Sequence, residues 1–144
     1  MPGTVASLVT SIFIYIAYEY LGYTDLKFSI IFFVIILFYS FYAVKDSESE
    51  FVNKDPRQIV IDEVLGQSMP LILLLHLNQT NQISMQIEIY YIISFFVFRF
   101  FDIFKPFPVS YFDKNFKNYF GIIMDDIMAG FYTMLIIYLI SLKF

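Results

Sequence analysis

The chain has 144 residues, 59% hydrophobic and 22% aromatic, with a mean hydropathy of +0.70 and a net charge of −4. A soluble domain of that length cannot bury so much apolar surface, which excludes a water-soluble globule and implies a single membrane-embedded domain over residues 1–144. The absence of cysteine excludes disulfides, thiolate metal sites and a cysteine nucleophile, and the acidic balance argues against nucleic acid as a partner.

No basic stretch and no small-residue cleavage pattern precede the first apolar run, so no signal peptide is expected. Thr4 can cap a first helix that runs to about Gly22, with Glu19 near its far end. A polar turn from Tyr23 to Lys27 leads into Phe28–Val44, seventeen residues without a charge and at the short end of what crosses a bilayer. Lys45 to Lys54 forms a polar, acidic loop. Asp55 is then a natural N-cap for a third helix, Pro56 suits its first position, and Gln58 completes a capping box.

Two turns into that helix come Asp62 and Glu63, then Gly66 on the face of Asp62, which lets another helix or a ligand approach the carboxylate. Pro70 removes the hydrogen bond to the Gly66 carbonyl and predicts a kink just past the acids. His76, at the far end among leucines, reads as an interfacial histidine and not as a ligand. Asn78 to Gln86 is an uncharged polar loop. The fourth helix runs from about Ile87 to Phe104, where Arg99 and Asp102 share a face and Pro106 stops it just after Lys105. Val109–Asn118 is an amphipathic connection suited to the interface.

The last helix, to Leu142, begins with Gly121-Ile122-Ile123-Met124-Asp125-Asp126-Ile127-Met128-Ala129-Gly130. A carboxylate at membrane depth costs about 2.5–3.5 kcal/mol, and a second beside it adds repulsion. Asp125 and Asp126 together therefore call for a facing positive group, most simply a metal ion, unless the pair sits solvated among headgroups.

Five spans would set the Lys45–Arg57 loop and the Arg99–Lys117 region on one side, with seven of the nine Lys and Arg residues. The positive-inside rule makes that side the cytoplasm and places the C-terminus outside. The start of the chain, Asp62 and Glu63, the Arg99–Lys105 cluster and Asp125 and Asp126 then fall in one cytoplasmic layer. Four of five glycines and four of five prolines lie in these same stretches. The fold class expected is all-α: a polytopic membrane helical bundle of about five membrane helices plus a short interfacial helix.

Four blocks carry a resemblance. Pro2-Gly3-Thr4-Val5-Ala6-Ser7-Leu8, the stretch from Asp55 to Gln67, Phe98 to Pro108 and Gly121 to Gly130 resemble, in order, the signature blocks of the phosphatidylglycerophosphatase A family. Two departures are Ala6, where the family usually has glycine, and an entry to the last block, between Asn118 and Gly121, that has few glycines. The resemblance implies a magnesium-dependent phosphatase of the bacterial cytoplasmic membrane, with its site facing the cytoplasm. It would convert phosphatidylglycerophosphate to phosphatidylglycerol, and Thr4 in the first block would join the substrate-binding residues.

The residues suit that chemistry. Phosphomonoester hydrolysis needs charge neutralisation on the phosphoryl oxygens and a positioned nucleophile. Hard oxygen ligands suit Mg²⁺, and Asp62, Glu63, Asp125 and Asp126 are the candidate ligands. Arg99 and Lys105 would hold the phosphate, while Asp62, Asp102 and Asp126 are the candidate catalytic carboxylates. The attacking group is either a metal-bound water or an aspartate that forms a phosphoenzyme. Histidine-based lipid phosphatases need more than one His, no Asp-x-Asp motif is present, and the aspartate pattern of the lipid phosphatidyltransferases is absent. A small cation or proton transporter would also use intramembrane acids, but these acids cluster at one surface and do not continue across. A purely structural subunit leaves the four charged blocks unexplained.

Overall fold

The computed structural model describes residues 2–22, 25–48, 60–83 and 85–143. Among these residues the regular structure is helical, with no strand: α1 (Pro2–Leu21), α2 (Leu26–Glu48), α3 (Ile61–Gln79), α4 (Ile87–Phe104), α5 (Val109–Asn115) and α6 (Tyr119–Lys143). The all-helical class and the fourth helix match the expected reading. The first helix departs from it: α1 begins at Pro2, so Thr4 sits inside its first turn and not at its cap. A proline suits that opening position because its missing N–H would have no helical partner there. α1 ends before Gly22, whose φ of 66° is the left-handed turn that glycine adopts freely. α3 begins at Ile61, preceded by Val60 without a side-chain cap; the expected cap Asp55, Pro56 and Gln58 lie outside the described residues.

Three helices, α1, α2 and α6, have the length and apolar character to cross a membrane. α3 and α4 are 19 and 18 residues long; α3 is more polar, with Asp62, Glu63 and Gln67, and α4 is strongly apolar but carries three charges, Glu88, Arg99 and Asp102. The packing explains how α3 tolerates this. It sits at the centre, against α1, α2, α4 and α6, so its polar side chains meet protein. Large apolar side chains lie exposed on the helices around it, among them Phe13 on α1, Phe38 on α2, Phe96 on α4 and Leu139 on α6, as a lipid-facing surface requires.

α3 runs unbroken through Pro70, and the core changes character along it. Its far half is packed by Leu71, Leu74 and Leu77 with Tyr90, Tyr91 and Ile137. Its near half packs Leu65 with Val44 and Ile123, and sets Gly66 against the Phe98 ring and the backbone of α6. A Cβ on Gly66 would lie 2.6 Å from the backbone oxygen of Asp126, and one on Gly130 would lie 2.4 Å from that of Gly66. Only glycine lets the two backbones come so close. The Gly66 carbonyl, denied its helical partner by Pro70, is the group that faces Gly130.

This crossing aligns the acids. Asp62 precedes Gly66 by four residues and Asp126 precedes Gly130 by four, so each acid lies one turn before its glycine on the same helix face. Where the glycines bring the backbones together, the carboxylates meet one turn nearer the helix starts.

Candidate active site

α3 places Asp62 and Glu63 in its first turn, where the positive end of the helix dipole favours carboxylates. α6 places Asp125 and Asp126 in its second turn, behind a start capped by Asn118, whose Oδ1 accepts the Gly121 N–H at 3.2 Å. Asp62, Asp125 and Asp126 are 7, 6 and 4% exposed. Three acidic side chains converge: one carboxylate oxygen each from Asp62, Glu63 and Asp126 lies within 4.8 Å of the others. The Glu63 backbone N–H donates to Asp62 Oδ1 at 3.0 Å, and Glu63 Oε2 is buried with no hydrogen-bond partner. Gly3 of α1 closes this side, since a Cβ there would lie 1.9 Å from Glu63 Oε1. Thr4, the residue after Gly3, is half-buried.

Asp125, one residue earlier, points elsewhere. Consecutive helical residues are about 100° apart, and Asp125 meets the turn after α4. Lys105 Nζ donates to Asp125 Oδ2 at 2.6 Å and to Asp113 Oδ1 of α5 at 2.5 Å. Lys105 caps α4 with φ 45°, ψ 59°, a left-handed conformation that costs a non-glycine residue about 1–2 kcal/mol. The turn sends the chain into Pro106 and leaves the lysine between two carboxylates. Burial alone would lower the pKa of the Lys105 ammonium, but its bonds to Asp113 and Asp125 carry it above the usual lysine range, so the group stays charged. Arg99 pairs with Asp102 three residues on, as the spacing predicts, while its buried Nε has no hydrogen-bond partner.

Asp125 and Asp126 are adjacent on α6, so the Lys105–Asp125 pair lies beside the converging three. The described parts of the four stretches do meet: Gly3 lies against Glu63, Gly66 against Asp126 and Phe98, and Lys105 against Asp125. Of the four carboxylates expected to ligate metal, the structure brings together Asp62, Glu63 and Asp126 and gives Asp125 to Lys105. Both residues expected to bind phosphate are already engaged with carboxylates, Lys105 with two of them.

Three contributors were not singled out from sequence. Asp113 looked like part of an exposed amphipathic connection, and no spacing rule joins it to Lys105 across two prolines. Gln67 is fully buried, donates to Ser94 Oγ at 3.4 Å and leaves its Oε1 unpartnered. Its place one turn after Glu63 was the available signal. Gly3 appeared only as a member of the first block. His76, by contrast, lies in the last turn of α3, at the opposite end from the acids, as expected.

The sequence profile of the family Phosphatidylglycerophosphatase A matches residues 1–141. The chain is 32% identical over 140 residues to a Haemophilus influenzae protein named "Phosphatidylglycerophosphatase A", covering 97% of this chain and 78% of the relative. It is 33% identical over 137 residues to a Bacteroides thetaiotaomicron protein named "Putative phosphatidylinositol-3-phosphatase", covering 94% of this chain and 80% of the relative. A shorter match, 42% over 48 residues, is to an Escherichia coli protein also named "Phosphatidylglycerophosphatase A", covering 33% of this chain and 28% of the relative. No solved structure matches.

Proposed function

The chain belongs to the phosphatidylglycerophosphatase A family, and from that membership we propose that it hydrolyses the terminal phosphomonoester of phosphatidylglycerophosphate to phosphatidylglycerol and phosphate. The reaction would be Mg²⁺-dependent and run at the cytoplasmic face of the bacterial inner membrane. In this arrangement α1, α2, α3, α4 and α6 cross the bilayer and α5 lies at the interface. The excess of Lys and Arg on the side of the acids supports that orientation.

The observation that carries the reading is the convergence of Asp62, Glu63 and Asp126 in a buried place, with a Glu63 oxygen left without a partner. Like charges so close are costly unless a cation or protons offset them. The donor set is all carboxylate oxygen, which suits Mg²⁺, an ion that also keeps water and phosphate oxygens in its shell. Asp62, Glu63 and Asp126 would hold it, and when bound it would supply charge neutralisation at the phosphoryl group and polarisation of its oxygens.

The chain's own residues do the rest. Arg99 directs a buried, unpartnered Nε–H and Lys105 retains a third N–H, so each has donor capacity for a phosphate oxygen while held by its carboxylates. Asp102, held by Arg99, would accept a proton from the nucleophile, and Thr4 would join the substrate-binding residues. The apolar surface below the layer keeps a lipid's chains in the leaflet while its headgroup reaches the acids.

The test is phosphate release by the purified chain in detergent and in vesicles. Phosphatidylglycerophosphate should turn over, fail with EDTA and recover with Mg²⁺. Phosphatidic acid should be much slower and glycerol 3-phosphate nearly inert. Phosphatidylinositol 3-phosphate joins the panel because of the Bacteroides relative's name, and preference for it would replace the substrate proposed here. Faster hydrolysis of the soluble ester than of any lipid would overturn the membrane-layer reading.

A further inference from the structure

α1 and α2 both pack on α3 and make no extensive contact with each other among the described residues. Between them runs a groove of about 590 Å³, floored by Val64, Ser68 and Leu75 of α3 and walled by Phe13 and Ala17 of α1 and Phe32 of α2. Its near end starts at Val64, the residue after Glu63. Its far end reaches Leu21 and Phe28, where α1 and α2 turn into one another.

Three hydroxyl groups lie along the lining, and all are turned back onto their own chain. Thr10 Oγ1 donates to the Ala6 carbonyl at 2.8 Å, Ser68 Oγ to that of Leu65 at 2.8 Å and Ser29 Oγ to that of Asp25 at 3.2 Å. The groove therefore offers hydrocarbon surface with no free donor, which disfavours any polar occupant. Its length fits a single leaflet. From Val64 to Leu75 α3 rises about 16 Å, against about 15 Å for half of the hydrocarbon core.

We infer that this groove holds one acyl chain of the lipid whose headgroup phosphate is hydrolysed at Asp62, Glu63 and Asp126, an assignment that rests on the proposed function. The groove begins one residue past Glu63 and runs away from the acids along α3, so a chain lying in it fixes how far its headgroup rises into the charged layer. It confers a preference for chain length that an open bilayer surface would not.

The experiment compares dihexanoyl and dipalmitoyl phosphatidylglycerophosphate in mixed micelles. Ala17 is a small residue on the α1 wall, and Ala17→Phe narrows the groove. The ratio of kcat/KM for the long-chain ester over the short-chain ester should fall about tenfold. Leu139→Phe, on the exposed face of α6, should leave that ratio where it is. Independently of any variant, a phosphatidylglycerophosphate carrying a photoactivatable diazirine at the end of one chain should label α1, α2 and α3 around Ala17, Leu21 and Phe28. An unaltered ratio in Ala17→Phe, or label spread over the outer faces of α4 and α6, overturns the groove assignment while leaving the phosphatase reading intact. Phosphate release from neither ester by the unmodified chain overturns the proposed function, and this inference with it.

Discussion

Asp125 and Asp126 are neighbours in sequence, almost equally buried, and face opposite arrangements. On the α4–α5 side, Asp125 meets Lys105, which also holds Asp113, and Asp102 meets Arg99. Every acid there has a cation from the chain. On the α3 side, Asp126 meets only other acids among the described residues that converge with it, Asp62 and Glu63. Burial does not separate the two regions; the partner does. One has each of its acids ion-paired within the protein, Lys105 serving two of them, and is suited to orienting groups and lending N–H donors. The other is built of converging carboxylates alone and is suited to taking up something positive from outside.

Substitutions on either side should therefore behave differently. The largest effect is expected for Asp126→Asn or Asp62→Asn. Phosphate release should drop by about 10³-fold, on the scale of losing a key electrostatic contact to the transition state. The melting temperature without metal should hold or rise, because like-charge repulsion is relieved. A fall in both would make the three acids a structural feature.

Next comes the crossing that sets their spacing. Gly66→Ala inserts a Cβ 2.6 Å from the Asp126 backbone oxygen, which cannot rotate away. The helices must separate, at a cost of about 1–3 kcal/mol in stability, and a displacement near 1 Å is expected to reduce turnover about 10²-fold. Wild-type turnover in this variant would uncouple the glycines from the site.

Asp125→Asn should be milder. Lys105 keeps Asp113, so activity should fall about tenfold, within the range for residues that orient ligands. Here thermal stability should decrease, since a half-buried ammonium loses a charged partner, and that opposite sign sharpens the contrast with Asp126→Asn. Smallest is Gly3→Ala. Its Cβ would displace only the flexible end of Glu63, so stability should stay within about 0.5 kcal/mol while turnover drops a few-fold, read as kcat at saturating substrate.

Much of this was legible in the sequence where a rule links residues close along the chain. The Arg99–Asp102 pair follows from i, i+3 spacing, the α4 boundaries from periodicity and Pro106, and the shared face of Asp62 and Gly66 from four-residue spacing. The meeting of the four stretches was legible because acids, glycines and prolines gather in them. What was not legible depends on direction across space. Periodicity alone does not say which of two consecutive aspartates looks toward α3 and which toward α4. Nor does it join Lys105 to Asp113 through a left-handed turn. The start of α1 moved for a local reason: Pro2 can open a helix by itself, so Thr4 was not needed as a cap.

The central claim is that Asp126, with Asp62 and Glu63, holds a divalent cation while Asp125 holds a lysine. Mn²⁺ binding to the intact chain in detergent, followed by electron paramagnetic resonance as a stand-in for Mg²⁺, tests this directly without any substrate. Binding that survives in Asp125→Asn and is lost in Asp126→Asn is the predicted result. Equal binding in the two variants, or loss in Asp125→Asn alone, would contradict it.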